Sequence, residues 1–345
     1  MELAALLACP LWLPPVALGL DMVMGDPRSL PHPVQAIGWS LDRLEVRARS
    51  AGTSRFAGVV CLVCLLSVVG VAGILLLSVP WFGMVSAVWL AWSGLALGSL
   101  LRECGTAAQL VAASESSLSG ETALAEARCA VGMLVSRDVS QASQPELYRA
   151  LAETLAENMN DGVVAPFFWL LLGGPVGLWM YKAVSTMDSM WGYTTPKWRL
   201  LGWAGARLDD VLAFVPARLA AAALLLSAPR ESWELKETRY PGQGALRNFW
   251  LLWRQVSHDA RTMDSPNAGW PMAAAAWTHG RRMGGPTMYF GAVKNKPVLG
   301  PRANTTDAMK VWDAEGLDAL LCHVRNAAVA CAVCLWGMAV IVRVF

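Results

Sequence analysis

The sequence is poor in charge: Asp, Glu, Lys and Arg make up 16% of its 345 residues, against roughly 25% in an ordinary soluble domain. Histidine is scarcer still, with four in the chain, and none stands in an H-E-x-x-H pattern, which excludes the common helical zinc-hydrolase site. A G-x-x-x-x-G-K-[ST] loop is missing, as is a G-x-G-x-x-G after a strand, so any nucleotide must be held by an atypical site. There is no internal repeat and no low-complexity tract. The formal net charge of +2 singles out no partner class, and no nucleic acid is expected. No basic region precedes the apolar N-terminal run and no small-residue cleavage site follows it, so the N-terminus reads as a membrane segment rather than a secretory signal. Eight cysteines are present, including the C-x-x-C pairs Cys61/Cys64 and Cys331/Cys334. Both pairs lie inside uncharged runs with no histidine completing a zinc set, so free thiols acting as small apolar residues are expected.

What the chain does have is hydrocarbon. Hydrophobic residues reach 55%, mean hydropathy is +0.41 and there are 17 tryptophans. Several of these, Trp81, Trp92, Trp198 and Trp203, sit at the ends of apolar runs, as an interfacial aromatic belt requires. Residues 56–79 carry no charge; as a helix they would extend about 36 Å, enough to cross a hydrocarbon core of about 30 Å. Pro80 breaks this run and 81–101 forms a second. Further spans are expected near 3–20, 163–184, 208–228 and 327–345. The fold class is therefore all-α: a polytopic integral membrane protein of about 4–6 membrane helices, short or re-entrant segments included, organised as one membrane-embedded domain over 1–345.

Arginine orients it. Five arginines (Arg28, Arg43, Arg47, Arg49 and Arg55) fall between the first two spans and none lies at the Pro80 turn. The positive-inside rule then makes 26–55 cytoplasmic, and with it 102–160 and 229–320. Within 102–160, Ser143-Gln-Pro-Glu146 has the form of a capping box, so a helix should start there and run to about Asn160. It delivers Glu153, Glu157, Asn158 and Asp161 to the edge of an uncharged run. Glu153 reads as a solvated neighbour. Asp161 and Glu157 read as candidate ligands for a hard cation such as Mg²⁺, because carboxylates on one helix face supply the oxygens it takes.

Three further polar clusters accompany this one. The loop from Asp21 to Gln35 holds Asp26 and His32 among several prolines. A second cluster runs from Tyr181 and Lys182 to Asp188, then to Arg207, Asp209 and Asp210, with Arg218 inside an apolar run where Asp209 or Asp210 offers it a partner. The last joins Asp264 and Asn267 to the Gly/Pro turns near 284–291 and to Lys294 and Lys296, whose ammonium groups and exposed backbone N–H groups suit phosphate.

Taken together and in this order, GDPRSLPHPVQAIGWSL (25–41), ETLAENMNDGVVAPFF (153–168), YKAVSTMDSMWGY (181–193), ARLDDVLAFVPARL (206–219), SPNAGWP (265–271) and GGPTMYFG (284–291) resemble the adenosylcobinamide-phosphate synthase family of cobalamin biosynthesis. The resemblance covers nearly the whole chain. It implies a membrane enzyme that joins the free propionate carboxylate of adenosylcobyric acid to the amine of (R)-1-aminopropan-2-ol phosphate, or of a related amino alcohol, using ATP and Mg²⁺. Two positions depart from the family pattern: Ser185 stands where Asn is usual and Met272 where Glu is common.

The chemistry of such a reaction sets roles. A carboxylate acylates an amine only after activation, which ATP would supply as a phosphoryl group in a site dominated by positioning and electrostatics. Asp161 and Glu157 are the expected Mg²⁺ ligands, with Asp26 and Asp188 next. Lys182, Arg207 and Arg218 are the expected phosphate groups, Asn158 and Asn267 the partners of corrin amides, and His32 the acceptor of the amine's proton. Asp161, Glu157, His32 and Asp188 thus form the expected catalytic set, with Asp209, Asp210 and Asp26 beside substrate. If 163–184 crossed the membrane fully, Asp188 would emerge opposite Asp161. Gly173-Gly174-Pro175 should break the helix and keep both at one cavity at membrane depth. The expected location is the inner membrane, with the site on or near its cytoplasmic side and other pathway enzymes as partners. A corrinoid transporter or a scaffold is the alternative reading.

Overall fold

The computed structural model describes residue 7 and residues 9–26, 32–116, 120–228, 245–289, 292–301 and 310–344. Some expectations lie outside the described residues: the first residues of the 3–20 span, residues 27–31 with Arg28, residues 290–291 of the last motif, and 229–244 and 302–309 of the expected cytoplasmic segment.

The chain is helical almost throughout. In order it forms α1 (Leu13–Met24), α2 (Pro33–Ala51), α3 (Arg55–Ser78), α4 (Gly83–Ser93), α5 (Leu97–Ser116), α6 (Gly120–Gly132), α7 (Gln144–Met159), a π turn (Asn160–Val164), α8 (Ala165–Trp191), α9 (Trp203–Leu212), α10 (Phe214–Leu226), α11 (Ala245–Ala260), α12 (Gly269–His279), β1 (Met283–Tyr289), β2 (Ala292–Leu299) and α13 (Ala314–Val344). Among the described residues four helical stretches are long and apolar enough to cross a membrane: Arg55–Ser78, Gly83–Glu115, Gln144–Trp191 and Ala314–Arg343. The first has a mean hydropathy of 3.0 and buries little of itself in protein, as a helix facing lipid does. All eight cysteines are free thiols.

Local sequence explains most boundaries. α7 starts at the S-x-x-E signal, with the Glu146 carboxylate accepting the Ser143 N–H at 2.8 Å. α8 runs through the expected break: Gly173 and Gly174 leave helical geometry, Gly174 at φ 61°, and Pro175 follows with no N–H to give. The expected span at 208–228 is divided at Ala213, leaving α9, with 10 residues, too short to cross a bilayer. The span expected at 327–345 is the end of a longer helix, α13. The Gly/Pro motif at 284–291 enters an antiparallel hairpin, β1 with β2, with an irregularity between Gly284 and Gly285.

The fold divides into two compact units. Unit 1 comprises Met1–Ser99, Asp161–Pro216 and Ala332–Phe345; unit 2 comprises Leu100–Asn160 and Ala217–Cys331. In unit 1, α8 packs against α2, α3, α4 and α9. A buried carboxylate fastens this unit: Asp21, at the end of α1, accepts the N–H groups of Leu97 and Gly98 at 2.7 and 3.2 Å. These are orphan donors of a helix start, where negative charge is favoured. Gly98 is required there, since a Cβ would run into the Asp21 carbonyl.

In unit 2, α12 is an alanine-rich rod buried on nearly every side, flanked by α7, α11 and the hairpin. Two buried acids hold it together. Asp259 accepts Trp277 Nε1–H at 2.8 Å and the Gly300 N–H at 2.9 Å. Glu153 does the same for the hairpin, accepting the Gly284 N–H at 2.8 Å.

Candidate functional site

Most of the charged candidate residues in unit 1 come from three segments. The π turn presents Asp161; one turn of this kind inside a helix re-aims the chain and recurs at functional sites. It is fixed by the Ala96 N–H, donated to the Gly162 carbonyl at 2.9 Å. The last turns of α8 present Lys182 and Asp188, and α9 presents Arg207, Asp209 and Asp210.

These segments converge on one point. Burial, and after it the charges of Asp161, Asp188 and Asp210, push the Asp209 carboxyl up to about 8. Its Oδ1 atom is buried without a hydrogen-bond partner among the described residues. Asp210 is also raised, first by burial, though Arg207 pulls against this from 3.4 Å. Asp161, Asp188 and Asp209 all act on the hydroxyl of Tyr181, which is fully buried in α8 with Ser185 beside it. Both ends of the kinked helix therefore contribute to one carboxylate cluster. Gly192 permits this at the far end, because a Cβ there would strike the Asp188 carboxylate.

One cation lies in the same surroundings. The half-buried Lys182 ammonium interacts with the charges of Asp161 and Asp26. Asp26 accepts a hydrogen bond from Ser99 at 3.3 Å and stands 3.6 Å from His32. His32 itself caps α2: Nδ1 accepts the Val34 N–H at 3.3 Å, and Nε2 lies 2.9 Å from the Ser93 carbonyl. A carbonyl only accepts, so the ring proton is on Nε2 and both nitrogens are in use. The ring also closes one end of an apolar cavity of about 310 Å³, lined by Ile37, Val69, Trp89, Val176 and Trp179.

The other expected residues belong to unit 2. Glu157 is acted on by Lys296, Glu153 and Arg137. Asn158 donates to the Thr154 carbonyl at 3.0 Å along its own helix. Arg218 does not need an aspartate: its Nη1 donates to Asn267 Oδ1 at 2.9 Å, and its guanidinium lies over Trp270 at 4.6 Å. Lys294 pairs with Asp264 at 2.7 Å on the surface. The structure thus gathers Asp161, Asp188, Asp209, Asp210, Lys182 and Asp26, and separately pairs Arg218 with Asn267.

Sequence reasoning misplaced Glu153. It is 0% exposed, ion-paired to Arg137 and 3.8 Å from Arg149. It also passed over Asp21 as a helix cap and Tyr181 as the centre of the carboxylates. The signal for Tyr181 was present, because a tyrosine one residue before a lysine in an apolar helix shares its cluster.

Among the described residues no three His, Cys, Asp or Glu side chains stand together so as to hold a metal ion by themselves. The unit-1 cluster nonetheless fits Mg²⁺, which binds through one or two carboxylates and keeps water or phosphate oxygens for the rest. An orphaned, buried Asp209 oxygen surrounded by like charges is a group that a cation would satisfy.

Comparison with known proteins bears on what the cluster serves. The family model described as CobD/Cbib protein matches residues 15–316. A protein of Geobacter metallireducens named Cobalamin biosynthesis protein CobD is 38% identical over 299 residues, 85% of this chain and 87% of that one. A protein of Salmonella typhi named Cobalamin biosynthesis protein CbiB is 40% identical over 294 residues, 83% of this chain and 85% of the other. No solved structure matches. A match over most of the chain, at identities near two in five and with every motif inside the matched region or one of its helices, makes this chain a member of the CobD/CbiB family of cobalamin biosynthesis proteins.

Proposed function

We propose that the protein forms an amide bond between the free propionate carboxylate of adenosylcobyric acid and the amine of (R)-1-aminopropan-2-ol phosphate or a related amino alcohol, at the expense of ATP. The single observation that supports this most is the cluster of Asp161, Asp188 and Asp209 around Tyr181, with Lys182 alongside. Half-buried carboxylates that repel one another cost stability, so they are kept where a ligand uses them. A scaffold surface has no need of an acid held near neutrality.

Each residue has a chemical task in this reading. Asp161 and Asp209, with Asp188 next, would hold Mg²⁺. Bound there, the ion neutralises charge on the phosphoryl group being transferred. Lys182 offsets negative charge from the same side and prevents the carboxylates from binding more than one cation. Tyr181 and Ser185 fix the spacing between the two ends of α8. In unit 2, Arg218 and Lys296 are the cationic groups for phosphate oxygens, while Asn158 and Asn267 present amides to the corrin's amides. Glu157, beside Lys296, is the carboxylate for the ammonium of the amino alcohol. The exposed Arg207 and the half-buried Asp210 form the rim. Removal of the amine's proton at His32 requires Nδ1 to release the Val34 N–H first. Otherwise a cluster carboxylate takes the proton. The Arg-rich segment 26–55 supports an inner-membrane location with this chemistry on the cytoplasmic side.

Incubation of the detergent-purified protein with adenosylcobyric acid, ATP, Mg²⁺ and aminopropanol phosphate, followed by mass spectrometry, tests the proposal. The expected product is adenosylcobinamide phosphate, formed only when all four are present. Tight corrinoid binding with no amide would instead assign a transporter or a scaffold.

A further inference from the structure

The segment that joins α8 to α9, residues 192–202, packs on the first turn of α3, where a Cβ on Gly58 would strike the Leu201 carbonyl. Within it Trp198 stacks on Trp191 with ring centroids 5.6 Å apart. Two cations lie over the Trp198 indole, the Lys197 ammonium at 4.3 Å and the Arg49 guanidinium at 5.0 Å. Arg55 lies over Trp203 at 5.1 Å, and Arg199, in the same short segment, is exposed. Glu45 accepts Arg49 Nε–H at 2.7 Å and stands 3.3 Å from the Lys197 ammonium. Neither Arg55 nor Arg199 has a carboxylate partner among the described residues. Four cations thus share one acid. Asp42, the other acid of α2, stands about two turns before Arg49.

The depth of this cluster follows from its place in the chain. Arg55 is the first residue of α3, whose mean hydropathy of 3.0 is the highest of the four long apolar stretches. The Ser54 hydroxyl caps that helix by accepting the Ala57 N–H at 3.0 Å, and no charge follows from Phe56 to Ser78. The cluster therefore stands where hydrocarbon gives way to headgroups. Phe56, 77% exposed, and Trp203, 38% exposed, offer ring surface at the same level, as interfacial aromatic residues do.

We propose that this cluster binds the phosphate headgroup of an anionic phospholipid. Arg55 and Arg199 supply the uncompensated charge, and Phe56 and Trp203 meet the first methylenes of the chains. Glu45 and Trp198 hold Arg49 and Lys197 in place, so less side-chain freedom is lost when these two also donate to a phosphate. Basic groups fixed at the end of a span, on its arginine-rich side, are suited to an anionic headgroup. A soluble phosphate has no use for the exposed ring of Phe56 beside it. A zwitterionic lipid gains less, because its own ammonium repels the surplus arginines. The inference depends on the membrane embedding of the chain and not on the proposed reaction.

Native mass spectrometry of the intact protein tests this, by titration in mild detergent with phosphatidylglycerol or with phosphatidylcholine of the same chains. The first phosphatidylglycerol is expected to bind about 30-fold more tightly, the factor that two arginines near an anionic surface supply. Excess inorganic phosphate should not displace it. Arg55→Gln/Arg199→Gln should bind the two lipids alike, with thermal unfolding in phosphatidylcholine unchanged. Arg254→Gln/Arg325→Gln removes the same charge from exposed positions of unit 2 and should keep the full preference. A phosphatidylglycerol with a photoreactive headgroup gives a second reading that needs no variant: its adducts should fall on 55–58 and 192–203. Equal affinity of the unsubstituted protein for the two lipids would overturn the proposal, as would adducts that fall elsewhere. So would a preference that survives Arg55→Gln/Arg199→Gln or vanishes equally in the unit 2 variant. Displacement by phosphate would assign the cluster to a soluble anion, and a preference confined to dimers would assign it to a second copy; either result contradicts the proposal.

Discussion

Glu153 and Asp161 are eight positions apart in one continuous helical stretch, yet their carboxylates meet opposite surroundings, Glu153 fully buried and Asp161 half-buried. Glu153 is saturated: Arg137 and Arg149 supply charge, and the Gly284 N–H fills the remaining oxygen. Asp259 in the same unit is saturated by Trp277 and Gly300. In unit 1 Asp21 is likewise taken up by N–H groups, but Asp161, Asp188 and Asp209 face one another, and Asp209 keeps an oxygen with no partner among the described residues. Burial alone therefore does not mark a functional acid. A carboxylate whose lone pairs are filled by the fold is a fastener, whereas one left in the company of other carboxylates waits for a ligand.

Substitutions that exchange charge for a neutral amide should separate the two kinds. The largest effect is expected at the cluster: Asp161→Asn should lower the turnover of amide formation by about 10²-fold or more, the scale on which one electrostatic contact to a transition state counts, with little change in thermal unfolding. Asp209→Asn should resemble it. Glu153→Gln should do the reverse. It leaves Arg137 buried without its partner, which costs about 3–5 kcal/mol, so the melting midpoint should fall steeply while activity per folded molecule survives. A Glu153→Gln protein as stable as the parent but inactive would erase the distinction.

The pH dependence sharpens it further. The Asp209 carboxyl is pushed up to about 8, so below that pH a proton occupies the place a cation needs. Mg²⁺ affinity, measured by calorimetric titration, should therefore climb by up to about tenfold per pH unit as pH rises toward 8, and then level off. Asp209→Asn should remove the slope. The smallest effect belongs to unit 2. Burial first, then His323 and Arg281, push His279 down to about 3, so the fold favours its neutral form. The contribution of neutral His279 is complete above its unfolded value near 6.5 and is lost as pH falls toward 3. Unfolding monitored by circular dichroism should show an acid slope of no more than about 1.4 kcal/mol per pH unit from this group, which His279→Gln should flatten.

Sequence alone disclosed the membrane helices, the start of α7 and the break at Gly173-Gly174-Pro175, because each rests on local chemistry: hydropathy over a span, a capping box, a glycine pair before proline. It did not disclose the internal pairing of the polar clusters. Glu153 looked solvated because its helix face is polar in sequence, and the hairpin that buries it lies more than a hundred residues downstream. Arg218 seemed to need an aspartate nearby in sequence, while its acceptor, Asn267, comes from the turn before α12. Asp209 and Asp210 look alike in sequence. Only the geometry separates the one turned toward Asp161 and Asp188 from the one beside Arg207.

The two ends of the kinked helix, Asp161 and Asp188, act on the same groups, Tyr181 and Asp209, and so belong to one site rather than to opposite faces of a membrane. Single variants Asp161→Cys and Asp188→Cys, in a background with the native cysteines replaced, can be labelled in sealed vesicles with a membrane-impermeant maleimide applied to each side. The expected result is modification of both positions from the same side, the cytoplasmic one. Modification of position 188 from the opposite side alone would contradict the shared site.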